Sequence, residues 1–150
     1  MKKLLLILMF SILSFAQTLK VGDTLPTITL ADQFEKTHTV SDKSKRILVA
    51  FDKSTSDLLK EFLLAKDDDF LKNNQTVYIG DISGMPSLIA KFFAIPKMKK
   101  YPFSILFLDE KNENTFSKKE DKITVYTLEN GKIKNLSHLS TKEELANLFN

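Results

Sequence analysis

The hydrophobic positions along the chain change period several times, and each change marks an element. Arg46 to Phe51 is a continuous apolar run of strand length, a pattern that suits a strand covered on both faces. Leu58, Leu59, Phe62 and Leu63 follow at helical spacing and share one stripe. Ser54 with Asp57 reads as a capping box for that helix, which continues or restarts through Phe70 and Leu71. Thr76 to Ile82 is a second β-like run, and Pro86 to Phe93 a second helix with Leu88, Ile89, Phe92 and Phe93 as its apolar positions. Phe103 to Leu108 is again strand-like. Ile123 to Leu128 and Lys132 to Leu136 flank Asn130-Gly131, a pair that supplies the positive φ angles of a tight hairpin turn. Ser140 with Glu143 predicts a cap for a last helix bearing Leu145, Leu148 and Phe149. Ahead of all this, Val21 to Pro26 reads as a turn. Thr27 to Leu30 and Thr37 to Val40 read as two short strands joined through Asp32-Gln33 and Glu35-Lys36. The order is a β-hairpin, then β, α, β, α, β, β, β, α. It predicts one α/β domain with a mixed sheet and helices on both faces.

The first sixteen residues stand outside this pattern. Lys2 and Lys3 precede an apolar run, Leu4 to Phe15, and Ser14-Phe15-Ala16 places small residues where a signal peptidase reads. This is the layout of a secretory leader cleaved before Gln17. The run is short for a spanning helix, which takes about 20 apolar residues. Residues 1–16 are therefore expected to be a signal peptide, and residues 17–150 one exported, periplasmic domain with no membrane anchor once the leader is gone.

Composition then narrows the chemistry. The chain of 150 residues has no cysteine, so it supplies no thiol for disulfide exchange, for peroxide reduction or for a lipoprotein anchor. Without disulfides its stability has to come from packing, to which twelve phenylalanines contribute. The formal charge of +3 falls to +1 without Lys2 and Lys3, and Arg46 is the only arginine. A nearly neutral chain poor in forked guanidinium donors argues against a nucleic-acid partner.

The opening Val21-Gly22-Asp23, Pro26, Leu30 and Asp32-Gln33 is similar to the first segment of alkyl hydroperoxide reductase and thiol-specific antioxidant proteins. Thr127 to Ile133 resembles their closing hairpin, and the elements between run in the same order. The chain thus resembles the peroxiredoxin-like branch of the thioredoxin-fold superfamily over most of residues 19–149, with cysteine-poor periplasmic proteins of the YtfJ type as the nearest expected relatives. The resemblance implies a three-layer thioredoxin-like fold with an N-terminal β-hairpin. It also implies a nucleophilic cysteine just after the Arg46–Phe51 strand, at the start of the next helix. One alignment puts Ser56 there, with Leu59 at a second cysteine; another uses Thr55 and puts Leu58 at the nucleophile. Neither holds a thiol, and a serine hydroxyl has no sulfenic-acid chemistry. The family's cis-proline falls either on Pro102 or, with Ile123–Leu128 as the following strand, near Lys122; the hairpin favours the second.

The expected function is therefore a redox-inactive binding or accessory module of the cell envelope. A protein partner is expected to meet Ser54, Thr55, Ser56 and Asp57, the place of the lost redox motif. The alternative is a hydrolase or small-ligand enzyme using Ser56 with His38 or His138. No cofactor or metal is expected. The two histidines lack a ligand spacing, Asp67-Asp68-Asp69 lacks the alternation of a calcium loop, and the four glycines form no phosphate loop. Lys97, Lys99 and Lys100, beside Met98, Tyr101 and Phe103, form a basic-aromatic patch suited to an acidic partner or lipid headgroups, or simply a solvated helix end.

Overall fold

A computed structural model describes residues 17–150; the expected leader, residues 1–16, lies outside the described residues. Two short strands, β1 (Ile28–Ala31) and β2 (Thr37–Val40), pair antiparallel as a separate hairpin. The main sheet has five strands: β3 (Arg46–Ala50), β4 (Thr76–Gly80), β5 (Leu106–Phe107), β6 (Ile123–Glu129) and β7 (Lys132–Leu139), in the order β5-β4-β3-β6-β7. β4 runs parallel to β3 and β5 parallel to β4, whereas β6 and β7 are antiparallel additions. The parallel pair is joined by α1 (Lys53–Leu64) and the single turn α2 (Phe70–Asn73). Between β4 and β5 runs a helical arm made of α3 (Ser87–Ile89), a π-helical turn (Ala90–Ala94) and α4 (Ile95–Met98). α5 (Lys142–Leu148) closes the chain.

β3 lies at the centre of the sheet, and the alternation of a strand divides its residues between two cores. Ile47 and Val49 join Ile28, Leu30, Val40, Ile79, Phe116, Tyr126 and Ile133 on one face. Leu48 and Ala50 join Leu59, Phe62, Leu63, Tyr78, Val125 and Leu145 on the other. Both faces of β3 are sealed, as its unbroken apolar run predicts. The second core carries α1, α2 and α5. The first is roofed by the N-terminal hairpin and the Leu108–Phe116 connection, where Tyr126 donates its hydroxyl to the Leu19 carbonyl at 2.9 Å.

The motif Asp32-Gln33 has a structural duty. Asp32 accepts the backbone N–H groups of Phe34 and Lys36, which closes the turn between β1 and β2. Gln33 is buried, donates to the Phe103 carbonyl at 2.8 Å and accepts the Ile105 N–H at 2.8 Å. A side-chain amide thus occupies backbone groups that a longer β5 would use. For that reason the strand expected over Phe103 to Leu108 is reduced to Leu106–Phe107.

Both expected caps are shifted. α1 is capped by Asp52, which accepts the Thr55 N–H at 2.9 Å, while the Thr55 hydroxyl meets the Asp52 backbone: a capping box two residues ahead of the expected Ser54–Asp57 pair. α5 is capped by Thr141 with Glu144, one residue after Ser140 and Glu143. In each case the residue with extended backbone takes the cap.

Candidate functional site

The α1 N-terminus opens onto a cleft of about 560 Å³. One wall is the end of β3 and the first turns of α1, with Phe51, Asp52, Ser56, Asp57 and Lys60. The other is Asp81 to Pro86 after β4, together with the inner side of the arm: Ala94, Lys97, Met98 and Tyr101.

The four residues marked by the sequence do not act together. Thr55 is fully buried and spends its hydroxyl on Asp52. Ser54 is exposed, and its hydroxyl lies 2.9 Å from a carboxylate oxygen of both Asp52 and Asp121; its single proton serves one of them at a time. Only Ser56 and Asp57 line the cleft. Ser56 meets the buried phenol of Tyr78, whose pKa is pushed up by burial. Asp57 is clasped by Lys53 at 2.6 Å and Lys60 at 2.9 Å, and these two bonds hold its carboxyl below the usual carboxylate range.

Asp52 has the larger role at this spot. Partial burial pushes its carboxyl up, but the Thr55 N–H and hydroxyl, the Ser54 hydroxyl and the Asp121 N–H together hold it below its ordinary value. The signal was present in the sequence as Asp52-x-x-Thr55, hidden by the adjoining Ser54-x-x-Asp57 with the same spacing. Asp121 and Lys122, immediately ahead of β6, stand beside the α1 N-terminus through the contacts of Asp121 with Ser54 and Asp52. That is where the resemblance puts a cis-proline, and the residue before Ile123 is Lys122. Pro102 lies on the other side of the sheet order, ahead of the edge strand β5, and no peptide bond among the described residues is cis.

Neither histidine lines this cleft. His38 Nε2 sits 2.6 Å from Asp32 Oδ2 and faces a second cleft of about 480 Å³ beneath β5. His138 Nε2 is 3.3 Å from the Ser117 hydroxyl, and burial with Lys119 and Lys122 nearby lowers its pKa. Ser56 therefore has no imidazole beside it in this cleft. No group of three or more metal-ligating side chains occurs among the described residues.

The arrangement β3-α1-β4 with β6-β7 antiparallel on the far side of β3, and a loop before β6 crossing the α1 N-terminus, has counterparts among solved structures. The thioredoxin domain of a thiol-disulfide oxidoreductase from Bacteroides vulgatus superposes with a TM-score of 0.53 at 16% identity, over 89% of this chain and 100% of that one. A peroxiredoxin-like protein from Aquifex aeolicus gives 0.55 at 11% identity, over 88% and 86%. The fold is thioredoxin-like. No family model matches the sequence, and no curated protein matches it. In this thioredoxin-like chain the helix after the central strand starts with Asp52 as its cap and Thr55 three residues on. The Ser56–Leu59 and Thr55–Leu58 positions lie within α1, which begins at Lys53.

Ser56, whose hydroxyl lines the cleft, has no histidine beside it there. The Asp52 and Asp57 carboxylates each accept a donor on both oxygens, and Lys60 is tied to Asp57, which raises its pKa. The remaining surface is apolar and adaptable, dominated by Met85, Met98, Ile82 and Tyr101, and thioether side chains reshape readily around different partners.

Proposed function

We propose that this chain is an exported, redox-inactive thioredoxin-like module that binds a partner protein of the cell envelope through the cleft between the α1 N-terminus and the helical arm. The observation that carries the reading is the Asp52–Thr55 pair. At the start of the helix that follows the central strand, this cysteine-free chain holds a closed capping box, beside an apolar cleft. The scaffold for gripping a polypeptide is kept and the chemistry is gone. An extended segment of the partner would set an apolar side chain between Met85 and Met98 and run its backbone past Ser56 and Lys97.

Gly84 offers a clean test. A Cβ at this position meets nothing within 4 Å and no positive φ is required, so Gly84→Trp keeps the fold while its indole fills part of the cleft. In-cell cross-linking of the tagged protein, with mass spectrometry of the envelope fraction, is expected to recover a stoichiometric partner. The expected effect of Gly84→Trp is to cut that recovery about tenfold, the scale of losing one well-placed contact, with an unchanged melting temperature. A partner recovered equally well by both forms would move the binding surface elsewhere.

A further inference from the structure

The arm between β4 and β5 is amphipathic in the reverse of the usual sense. Ala90 is buried, and Ala94 and Met98, one and two turns on, are half-buried against the body. The large apolar side chains point away. Leu88 is 68% exposed, Ile89 47%, Phe92 60% and Phe93 69%. At 3.6 residues per turn these four positions cover an arc of roughly 140°, wide enough to be a packing face. Four large apolar groups side by side on open surface mark an interaction site, not the scattered exposure that most proteins show.

The charge around this arc is equally one-sided. Between Asp81 and Asp109 the chain holds Lys91, Lys97, Lys99 and Lys100 and no carboxylate. The arm region is thus +4 while the rest of residues 17–150 is −3, since together they make +1. Lys91 borders one side of the apolar arc, with its ammonium 5.7 Å from the Phe92 ring centroid; Lys97 borders the other, toward the cleft. A second copy of the same face would bring four more lysines against these, so self-pairing is opposed. A surface that is apolar at its centre and anionic at its edge is complementary.

We infer that the outer face of this arm, Leu88, Ile89, Phe92 and Phe93 with the flanking lysines, docks on an anionic lipid bilayer. The helix would lie in the plane of the headgroups, with its aromatic arc at the acyl boundary and its lysines on lipid phosphates. No helix among the described residues is long and apolar enough to cross a membrane, so the contact is peripheral. The π turn is suited to it. Pro96 cannot donate to the carbonyl four residues back, and the Ile95 N–H reaches instead to Ala90, five residues back. The turn is widened within the stretch that carries Phe92 and Phe93, and such turns recur at functional sites.

Residues 17–150 contain both cores of the fold, so the chain from Gln17 onward can be sedimented with vesicles. It is expected to pellet with vesicles of equimolar phosphatidylglycerol and phosphatidylcholine, to stay in the supernatant with vesicles of pure phosphatidylcholine, and to be released by salt. Phe92→Ser with Phe93→Ser is expected to weaken binding at least about tenfold, and Lys91→Gln or Lys99→Gln about fivefold each, all with unchanged melting temperature. Failure to sediment with anionic vesicles at low salt overturns the inference, and so does binding that survives the double serine variant. Recovery of an acidic protein on the Phe92–Phe93 face, without vesicle binding, overturns it in favour of a protein partner. Gly84→Trp, which blocks the cleft and not the outer face, is expected to bind vesicles normally; loss of partner capture with retained lipid binding separates the two surfaces.

Discussion

At the scale of single residues, the start of α1 is decided by what an aspartate does at a helix N-terminus. An extended residue ahead of α1 whose side chain accepts N–H groups is a cap, and Asp52 fills that position with donors from Thr55, Ser54 and Asp121. Replacing a good cap by alanine costs about 1 kcal/mol, so Asp52→Ala is expected to lower stability by that amount at neutral pH. The pH dependence follows from the direction of the shift. The folded carboxyl lies below its ordinary value of 3.8, so its contribution is complete above that value and is lost as pH falls through the folded pKa. Urea midpoints of parent and variant should differ by a constant amount from neutrality down to about pH 4, then converge in stronger acid. A gap that stays constant in strong acid would show that the carboxylate charge has no part in the cap. Asp32 is shifted in the same direction: its burial, which acts upward, is outweighed by His38 and the Phe34 and Lys36 amides. The parent should therefore lose stability over the same acid range.

At the scale of elements, the hairpin β6–β7 shows what sequence can specify. Asn130 and Gly131 take φ of 51° and 75°, as their residue types predict. A Cβ on Gly131 would also come within 3.1 Å of the Asp42 Cβ. Gly131→Ala is expected to destabilise by more than about 1 kcal/mol, whereas Gly84→Ala, with open space and no positive φ, should stay within about 0.5 kcal/mol of the parent. Equal effects in thermal melts would contradict the turn geometry. The run Arg46 to Phe51 was legible for a similar reason, because only a doubly covered strand tolerates so many consecutive apolar residues. The arm was legible as a helix but not in its orientation. A helical period is the same whether the large residues face in or out, and the choice falls to the Ala90 and Ala94 side, small enough to approach the body closely. β5 was overread because nothing local to Phe103–Leu108 announces that Gln33, some seventy residues earlier, holds its backbone.

At the scale of the molecule, the order β5-β4-β3-β6-β7 brings two distant segments to one point: the junction of β3 with α1 and the loop ahead of β6. The candidate site was only partly legible for that reason. Ser56 and Asp57 lie near it in sequence, but Asp121, Tyr101 and Met85 reach it only through the fold. The location can be checked by placing sulfur there. Asp52 Oδ1 and the Thr55 hydroxyl are 2.8 Å apart, side chains already in contact across the first turn, and a disulfide needs Cβ atoms about 3.8 Å apart. Asp52→Cys with Thr55→Cys is expected to close a disulfide on treatment with diamide, seen as a loss of two hydrogens by mass spectrometry. In the single variant Asp52→Cys, the introduced thiol should titrate below the ordinary value of about 8.5, because a helix N-terminus favours the thiolate. Ser56→Cys with Leu59→Cys, the pair given by the later alignment, should resist oxidation, since both positions lie inside α1, whereas Asp52 is its extended cap residue. Closure of the second pair and not the first would move the ancestral site one turn down the helix. Closure of the first alone would show that the scaffold still positions two sulfurs and that the residues, not the geometry, removed the chemistry. Reductase turnover by the restored pair should remain weak even so, because Lys122 stands where the family resemblance puts the proline that accompanies the dithiol.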